Sequence, residues 1–289
     1  MENQFYRLAQ GMRLSSLGIG TYLGAPDEAT DSNYEAAIRA AIDGGINVID
    51  TARNYRGERS ERAIGRAIAG VNRDELVLCT KAGYFIDRRG HSLDPDFLQE
   101  NLEASLVNLG VEQIDVFYLH NPETQLDSKD FYSQLRAAFE RCEAMAARGM
   151  LRFYGVATWD GFRAEKKVVS LHRLVAMAKE IAGAEHRFRF VQLPFNLAMP
   201  EAFNKHQQEG GTSLLQAAGE LGITVIGSAT LYQGRLGTDA QRAIQFSRST
   251  PGMAVSLVGM SSPAHVAENL AIKDVPPLTE REYYAIYGR

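Results

Sequence analysis

The sequence predicts an α/β fold, a (β/α)8 TIM barrel with a short N-terminal hairpin ahead of it. Three observations carry this expectation. Short apolar, β-branched runs alternate with amphipathic helical stretches along the chain, the alternation runs through eight units, and no Pro/Gly/Ser-rich linker breaks it near the middle. Apolar strands covered by helices imply an all-parallel sheet, and eight units are the number that closes into a barrel. A doubly wound open sheet is the alternative. With 289 residues the length allows one large domain or two ordinary ones, and the missing linker favours a single domain over 1–289.

The elements follow in order. Gln4 to Leu14 alternates weakly around Gln10-Gly11, a turn signal, and reads as the hairpin. Ser16 to Tyr22 is the first core strand, followed by an amphipathic helix over Asn33–Ala41 that ends near Gly44-Gly45. Strand 47–50 then leads to helix 58–69, strand 76–81 to helix 95–109, and strand 114–119 to a long helix 128–148 stopping before Gly149. In the second half, strand 152–158 precedes helix 164–182, strand 188–193 helix 212–221, strand 223–229 helix 239–248, and strand 254–259 helix 263–271. The longest irregular segment, Pro194 to Gly211, carries Gly210-Gly211, and loops of that length are usually functional or mobile. After the eighth unit come Lys273 to Arg289, with Thr279–Tyr287 reading as a short helix capped by Thr279. So short a tail leads us to expect a barrel mouth open on that side.

Composition narrows the function classes. The chain is 45% hydrophobic and 23% charged, as expected of a globular protein with a sizeable core. A net charge of -4, with Arg and Lys scattered, argues against nucleic acid as a partner. Met1–Arg7 has neither a basic nor an apolar leader region, and no stretch approaches the ~18 uninterrupted apolar residues of a membrane span, so a cytoplasmic location is expected. Cys79 in a strand and Cys142 in a helix read as reduced packing residues. His91, His172, His186 and His206 show no paired ligand spacing, so no metal is expected, and His172 and His186 read as helix-surface and loop residues.

The chemistry is concentrated at three strand ends. Strand 47–50 ends in Asp50, with Tyr55 five residues later on the same loop; the next strand ends in Lys81 and the one after in His120. In a barrel the carboxyl ends of the strands form one mouth, where these groups would converge. Taken singly, each has an ordinary explanation: a helix-proximal cap, a rim aromatic, a surface cation, a satisfied polar group. Together they form a proton-transfer device. A phenol titrates near ~10, and a neighbouring ammonium favours its phenolate. Asp50 supplies the anion a buried Lys81 needs, and His120 can hydrogen-bond a substrate oxygen on which charge changes. The set suits protonating a carbonyl oxygen while a hydride arrives from elsewhere.

The run Ile49-Asp50-Thr51-Ala52-Arg53-Asn54-Tyr55 with Gly57 and Glu61, then Thr80-Lys81, then Leu119-His120-Asn121-Pro122, resembles the aldo-keto reductase family, whose tetrad is Asp, Tyr, Lys and His in this order. Gly155-Val156, Val191-Gln192, Leu231–Leu236 with Gly234, and Gly259–Pro263 leading to Glu268-Asn269-Leu270 extend the likeness over nearly the whole chain. The resemblance implies a (β/α)8 barrel that binds NADP(H), with NAD(H) as the lesser alternative, and reduces small aldehydes or ketones. In that pattern Tyr55 donates the proton, Lys81 and Asp50 tune it, and His120 orients the carbonyl. Gln192 matches the nicotinamide-amide contact, and Glu268 and Asn269 match adenine contacts.

Several positions depart from the pattern. The usual Ser-Asn pair after the fifth strand is Ala157-Thr158, the aromatic on which the nicotinamide stacks aligns with Ser228, and the basic residues that grip the adenosine phosphate align with Gly259 and His265. Each loss should weaken binding by ~1 kcal/mol or more. Ser261 and Ser262 open the last helix, where backbone N–H groups favour an anion, and His265 or Arg235 could add positive charge. Gly18-Ile19-Gly20-Thr21-Tyr22-Leu23 is not the dinucleotide fingerprint, because Leu23 stands at the third glycine position. A cofactor-sensing regulatory protein of the same fold is the rival reading. A barrel enzyme acting on phosphorylated sugars would leave Tyr55 unexplained. Tyr84, Phe85, Trp159 and Phe195 are expected to wall the substrate site.

Overall fold

Gln10 and Gly11 both adopt left-handed dihedrals, φ 52° and 70°, and this turn pairs β1 (Tyr6–Ala9) with β2 (Met12–Ser15) in an antiparallel hairpin. The computed structural model describes residues 4–164 and 168–288. Beyond the hairpin, eight parallel strands close into a barrel: β3 (Leu17–Gly20), β4 (Val48–Asp50), β5 (Val77–Ala82), β6 (Ile114–His120), β7 (Leu151–Ala157), β8 (Phe188–Pro194), β9 (Thr224–Ser228) and β10 (Met253–Gly259), which returns to β3. The helices between them are α1 (Glu28–Asp43), α2 (Arg59–Ile68), α3 (Pro95–Leu109), α4 (Phe131–Ala147), α5 (Leu171–Ala182), the single-turn α6 (Glu201–Asn204), α7 (Leu214–Leu221), α8 (Ala240–Ser249) and α9 (Pro263–Leu270); α10 (Glu280–Tyr287) follows. The closed barrel excludes the open doubly wound sheet.

The boundaries depart from the pattern reading where capping decides them. The first helix begins at Glu28 rather than Asn33, because the Asp27 carboxylate accepts from the Thr30 N–H at 2.8 Å and starts it early. The helix expected over 164–182 begins at Leu171, where the Ser170 hydroxyl accepts from the Arg173 N–H at 3.1 Å; residues 165–167 of that expectation lie outside the described residues, as do 1–3 of the leader reading. The Pro194–Gly211 segment contains α6. At the far end Thr279 and Glu282 form a reciprocal capping box on α10, whose Tyr283 stacks on Phe246.

Side chains alternate across each strand, so the barrel has two cores. Val48, Val77, Cys79, Val116, Tyr118, Phe190, Ile226, Val255 and Leu257 point inward and meet Met12 and Leu14 of the hairpin, which plugs the barrel floor. Ile49, Leu78, Phe117, Leu119 and Val191 point outward against the helices. Gly18 on β3 packs closely inside the barrel, where a Cβ would come within 2.7 Å of Leu257 Cδ2 and 3.2 Å of the Val48 carbonyl oxygen, which gives the misleading glycine pattern a packing role. Cys79 and Cys142 are both free and buried. No helix among the described residues is long and apolar enough to cross a membrane.

Candidate active site

The same period of two that buries Val48, Val77 and Cys79, and Val116 and Tyr118, carries Asp50, Lys81 and His120 to the interior at the strand ends. The register sets Asp50 beside Cys79 and Lys81 beside Tyr118. Lys81 Nζ donates to Asp50 Oδ2 at 2.6 Å and to the Thr51 carbonyl at 2.7 Å, and Gln192 Nε2 reaches across from β8 to Asp50 Oδ1 at 2.7 Å. The Lys81–Asp50 ion pair is shielded, with side chains 1% and 7% exposed. Lys81 is therefore a buried group, not a surface cation.

Tyr55 lies above this pair. Its ring centroid is 5.1 Å from Lys81 Nζ, 5.8 Å from the His120 ring and 5.0 Å from the Tyr22 ring. The loop that carries it is anchored by its neighbour: Arg56, at φ 52°, donates to Asp31 Oδ1 at 2.5 Å and to the Ala25 carbonyl at 2.9 Å, tying the loop to α1. Behind the barrel wall the buried Glu61 accepts from Thr80 Oγ1 at 2.6 Å and Asn108 Nδ2 at 2.9 Å.

The titration of these groups follows from their surroundings. Burial drags the Lys81 ammonium down, but the Asp50 carboxylate with Tyr55 and Cys79 together outweigh it and the net shift is upward, so Lys81 stays charged. Burial pushes the Tyr55 phenol up, and Lys81 pulls it back only in part. The direction of the lysine's influence is as the sequence suggests; its net result is not, because removing the phenolate from water costs more than the ammonium returns. Burial, then Lys81 and His91, hold His120 well below the ordinary histidine range, so it is neutral. Its Nδ1 is buried without a partner.

A cavity of about 860 Å³ opens over the tetrad. Asp50, Tyr55 and His120 line its base, and Tyr22, Tyr84, Trp159, Asn54 and Asn121 its walls. Thr158, Gln192, Ser228, Ser261, His265, Glu268 and Asn269 also face it, so the structure brings these seven positions to one surface with Asp50, Tyr55 and His120, while Lys81 lies beneath it. Arg235 is exposed beside Tyr232, with Nη1 3.4 Å from its hydroxyl, and is not among the lining residues. Phe195 does not wall the site: it is fully buried and stacks on Phe246 at 5.4 Å. Phe85 packs on Phe97 at 4.9 Å and is likewise outside the lining. His186 is a loop residue but a buried one, which lowers its pKa to about 4. The sequence reading missed Asn54, Asn121 and Tyr22; all three flank tetrad residues or strand ends, a signal available from the barrel order.

A model of the aldo/keto reductase family matches residues 16–250. The chain belongs to that family. As a member it is an oxidoreductase, and the resemblance carried by the tetrad motifs is thereby established. The chain is 29% identical over 272 residues to an aldo-keto reductase of Mycobacterium avium (strain 104), covering 91% of this chain and 82% of that one. It is 31% identical over 174 residues to a D-threo-aldose 1-dehydrogenase of a Pseudomonas species, a match that spans 52% of each chain. The fold superposes on a crystal structure of an aldo/keto reductase from Klebsiella pneumoniae in complex with NADP and acetate with a TM-score of 0.75, at 23% identity, covering 99% of this chain and 95% of that one. Among the described residues no group of three or more His, Cys, Asp and Glu could hold a metal ion.

Proposed function

We propose that this chain reduces aldehyde or ketone carbonyls to alcohols with a nicotinamide dinucleotide, Tyr55 serving as the proton donor. The observation that carries the reading is the shielded Lys81–Asp50 pair set against the Tyr55 phenol and a neutral His120 at the base of one cavity. The cavity also suits the cofactor: Thr158 Oγ1 is a buried hydroxyl on its wall with no partner, and the Gln192 amide is fixed beside it by Asp50. Thr158 and Gln192 would hold the carboxamide, Ser228 would lie beside the ring, and Ser261, His265, Glu268 and Asn269 would follow the rest of the molecule along the rim. When bound, the dinucleotide supplies the hydride.

The chain's own residues handle the proton. His120 hydrogen-bonds the carbonyl oxygen and, being neutral, does so without adding a charge. The Tyr55 hydroxyl, protonated at neutral pH, gives its proton to that oxygen as the alkoxide forms. The Lys81 ammonium stabilises the phenolate left behind, and Asp50 with the Thr51 carbonyl keeps the ammonium in place. Tyr22, Tyr84 and Trp159 offer the substrate aromatic walls.

NADP(H) is the preferred cofactor of the likeness. NAD(H) is favoured by one observation, that the described cavity lining includes no Lys or Arg and does include Glu268. The Tyr55→Phe variant tests the whole reading. Oxidation of NADPH by a simple aldehyde should fall by ~100-fold or more, the scale of a lost general acid, with fluorescence quenching by NADPH unchanged. A parent protein that binds NADPH but oxidises it no faster than the variant would instead support the cofactor-sensing alternative.

A further inference from the structure

His91 lies behind the site. It closes a small antiparallel turn after β5: Tyr84 and His91 form a bridge, and the Ser92 N–H donates to the Gly83 carbonyl at 2.7 Å. His91 Nε2 is 2.6 Å from the His120 carbonyl oxygen. A carbonyl oxygen can only accept, so Nε2 carries the proton and Nδ1 is left as the acceptor. Gln125 Nε2 lies 3.0 Å from that Nδ1 and 3.3 Å from the His91 carbonyl. One neutral tautomer thus satisfies both ring nitrogens, and burial, which lowers the pKa of His91, keeps it neutral.

Two further features are built around this contact. Gly83 has φ 156°, and a Cβ there would meet His91 Nε2 at 2.6 Å and the His120 oxygen at 2.7 Å, so glycine is what lets the two histidines approach. The Tyr84 ring stands edge-on to both, 5.2 Å from His91 and 5.1 Å from His120, and its hydroxyl accepts from Asn121 Nδ2 at 2.9 Å. The His120 ring packs against Tyr84 and Tyr55 but has no hydrogen bond at Nδ1, and the next residue, Asn121, turns the backbone into the left-handed region at φ 49°. The strand ends at the catalytic histidine.

We propose that His91 is a positioning residue for carbonyl reduction: its Nε2–H bond to the His120 carbonyl seats the end of β6, and with it the His120 ring. The inference rests on the reading of His120 as the group that orients the substrate carbonyl. A shift of the strand end displaces the imidazole from the oxygen it must meet, and small displacements at a reacting centre cost large factors in rate. Gln192 on β8 is held by Asp50, and Thr158, just past the end of β7, donates its N–H to the Gln192 carbonyl at 2.8 Å, so cofactor affinity is expected to be spared.

The test is a double-mutant cycle on kcat/KM with His91→Phe, His120→Ala and the combined variant, alongside His91→Gln, NADPH affinity by fluorescence quenching and thermal midpoints. The expected result is a fall of ~10-fold or more for His91→Phe with NADPH affinity unchanged, substantial recovery in His91→Gln, which keeps a donor, and no further loss when His91→Phe is added to His120→Ala. Losses that multiply, or a His91→Phe variant within about twofold of the parent while His120→Ala is impaired, would overturn the role of His91 and leave that of His120 standing. A His120→Ala variant with parental turnover would remove the reading of His120 and the proposal with it. Loss of activity in His91→Phe together with NADPH affinity and thermal midpoint, unrelieved in His91→Gln, would show a merely structural residue.

Discussion

Replacing Lys81 by Met isolates the buried ion pair and gives the sharpest test of how the site is held. The change removes an ammonium that makes contacts of 2.6 Å and 2.7 Å, and strands the Asp50 carboxylate, 7% exposed, with Gln192 Nε2 and no cation in contact. Leaving an uncompensated charge in such a place costs about 3–5 kcal/mol. The surviving Gln192 bond places the expectation near the lower end, and at about 2–4 °C per kcal/mol for a domain of this size the thermal midpoint should drop by roughly 6–12 °C. The pH dependence follows from the sign of the linkage. In the variant, burial favours the protonated carboxyl, so the folded state binds more protons than the unfolded one, and its stability declines as pH rises. The gap between parent and variant is therefore wider at neutral and mildly alkaline pH than in acid, and it closes again only where strong alkali deprotonates Lys81 of the parent, whose pKa is raised. Thermal unfolding by circular dichroism at mildly acidic and alkaline pH measures it, with Asp50→Leu/Lys81→Met as a control that removes both charges and should recover part of the loss. A gap that is absent, or equal at both pH values and unrelieved in the double variant, would falsify the account of a stranded charge.

Other outcomes are expected from the same geometry. Because burial, Lys81 and His91 hold His120 neutral, the pH profile of kcat/KM should have no inflection from His120 at the usual histidine value near ~6.5; such an inflection, abolished in a His120 variant, would contradict the electrostatics. Titration by fluorescence quenching should show weak binding and little discrimination between NADPH and NADH, since Ser228 cannot stack and Gly259 cannot pair with a phosphate; a strong NADPH preference untouched by changes at Ser261 and His265 would mean that the phosphate sits elsewhere. Gly155→Ala should cost ~3 kcal/mol or more, read as a lower denaturation midpoint or as insoluble protein, because a Cβ on that strand would lie 2.0 Å from the Phe190 carbonyl. A stable Gly155→Ala protein would show that β7 and β8 can move apart.

The sequence by itself determined the parts that depend on near neighbours. Strand and helix periods are local, so the eight units, the turn at Gln10-Gly11 and the Thr279 cap could be read directly. The period of two also ensured that Asp50, Lys81 and His120 would share a face once their strands were aligned, and the family motifs named the tetrad. Only the tertiary structure decided what depends on closure. Gln192 meets Asp50 across 142 residues of chain, and His91 meets His120 across 29, at distances set by the barrel's radius and the path of a loop. Phe195 looked like a wall and became core because the turn after β8 carries its ring onto Phe246. The Tyr55 phenol was expected to be lowered by Lys81 and is raised on balance, because desolvation depends on everything packed around a group, whereas a sequence shows only which charges exist.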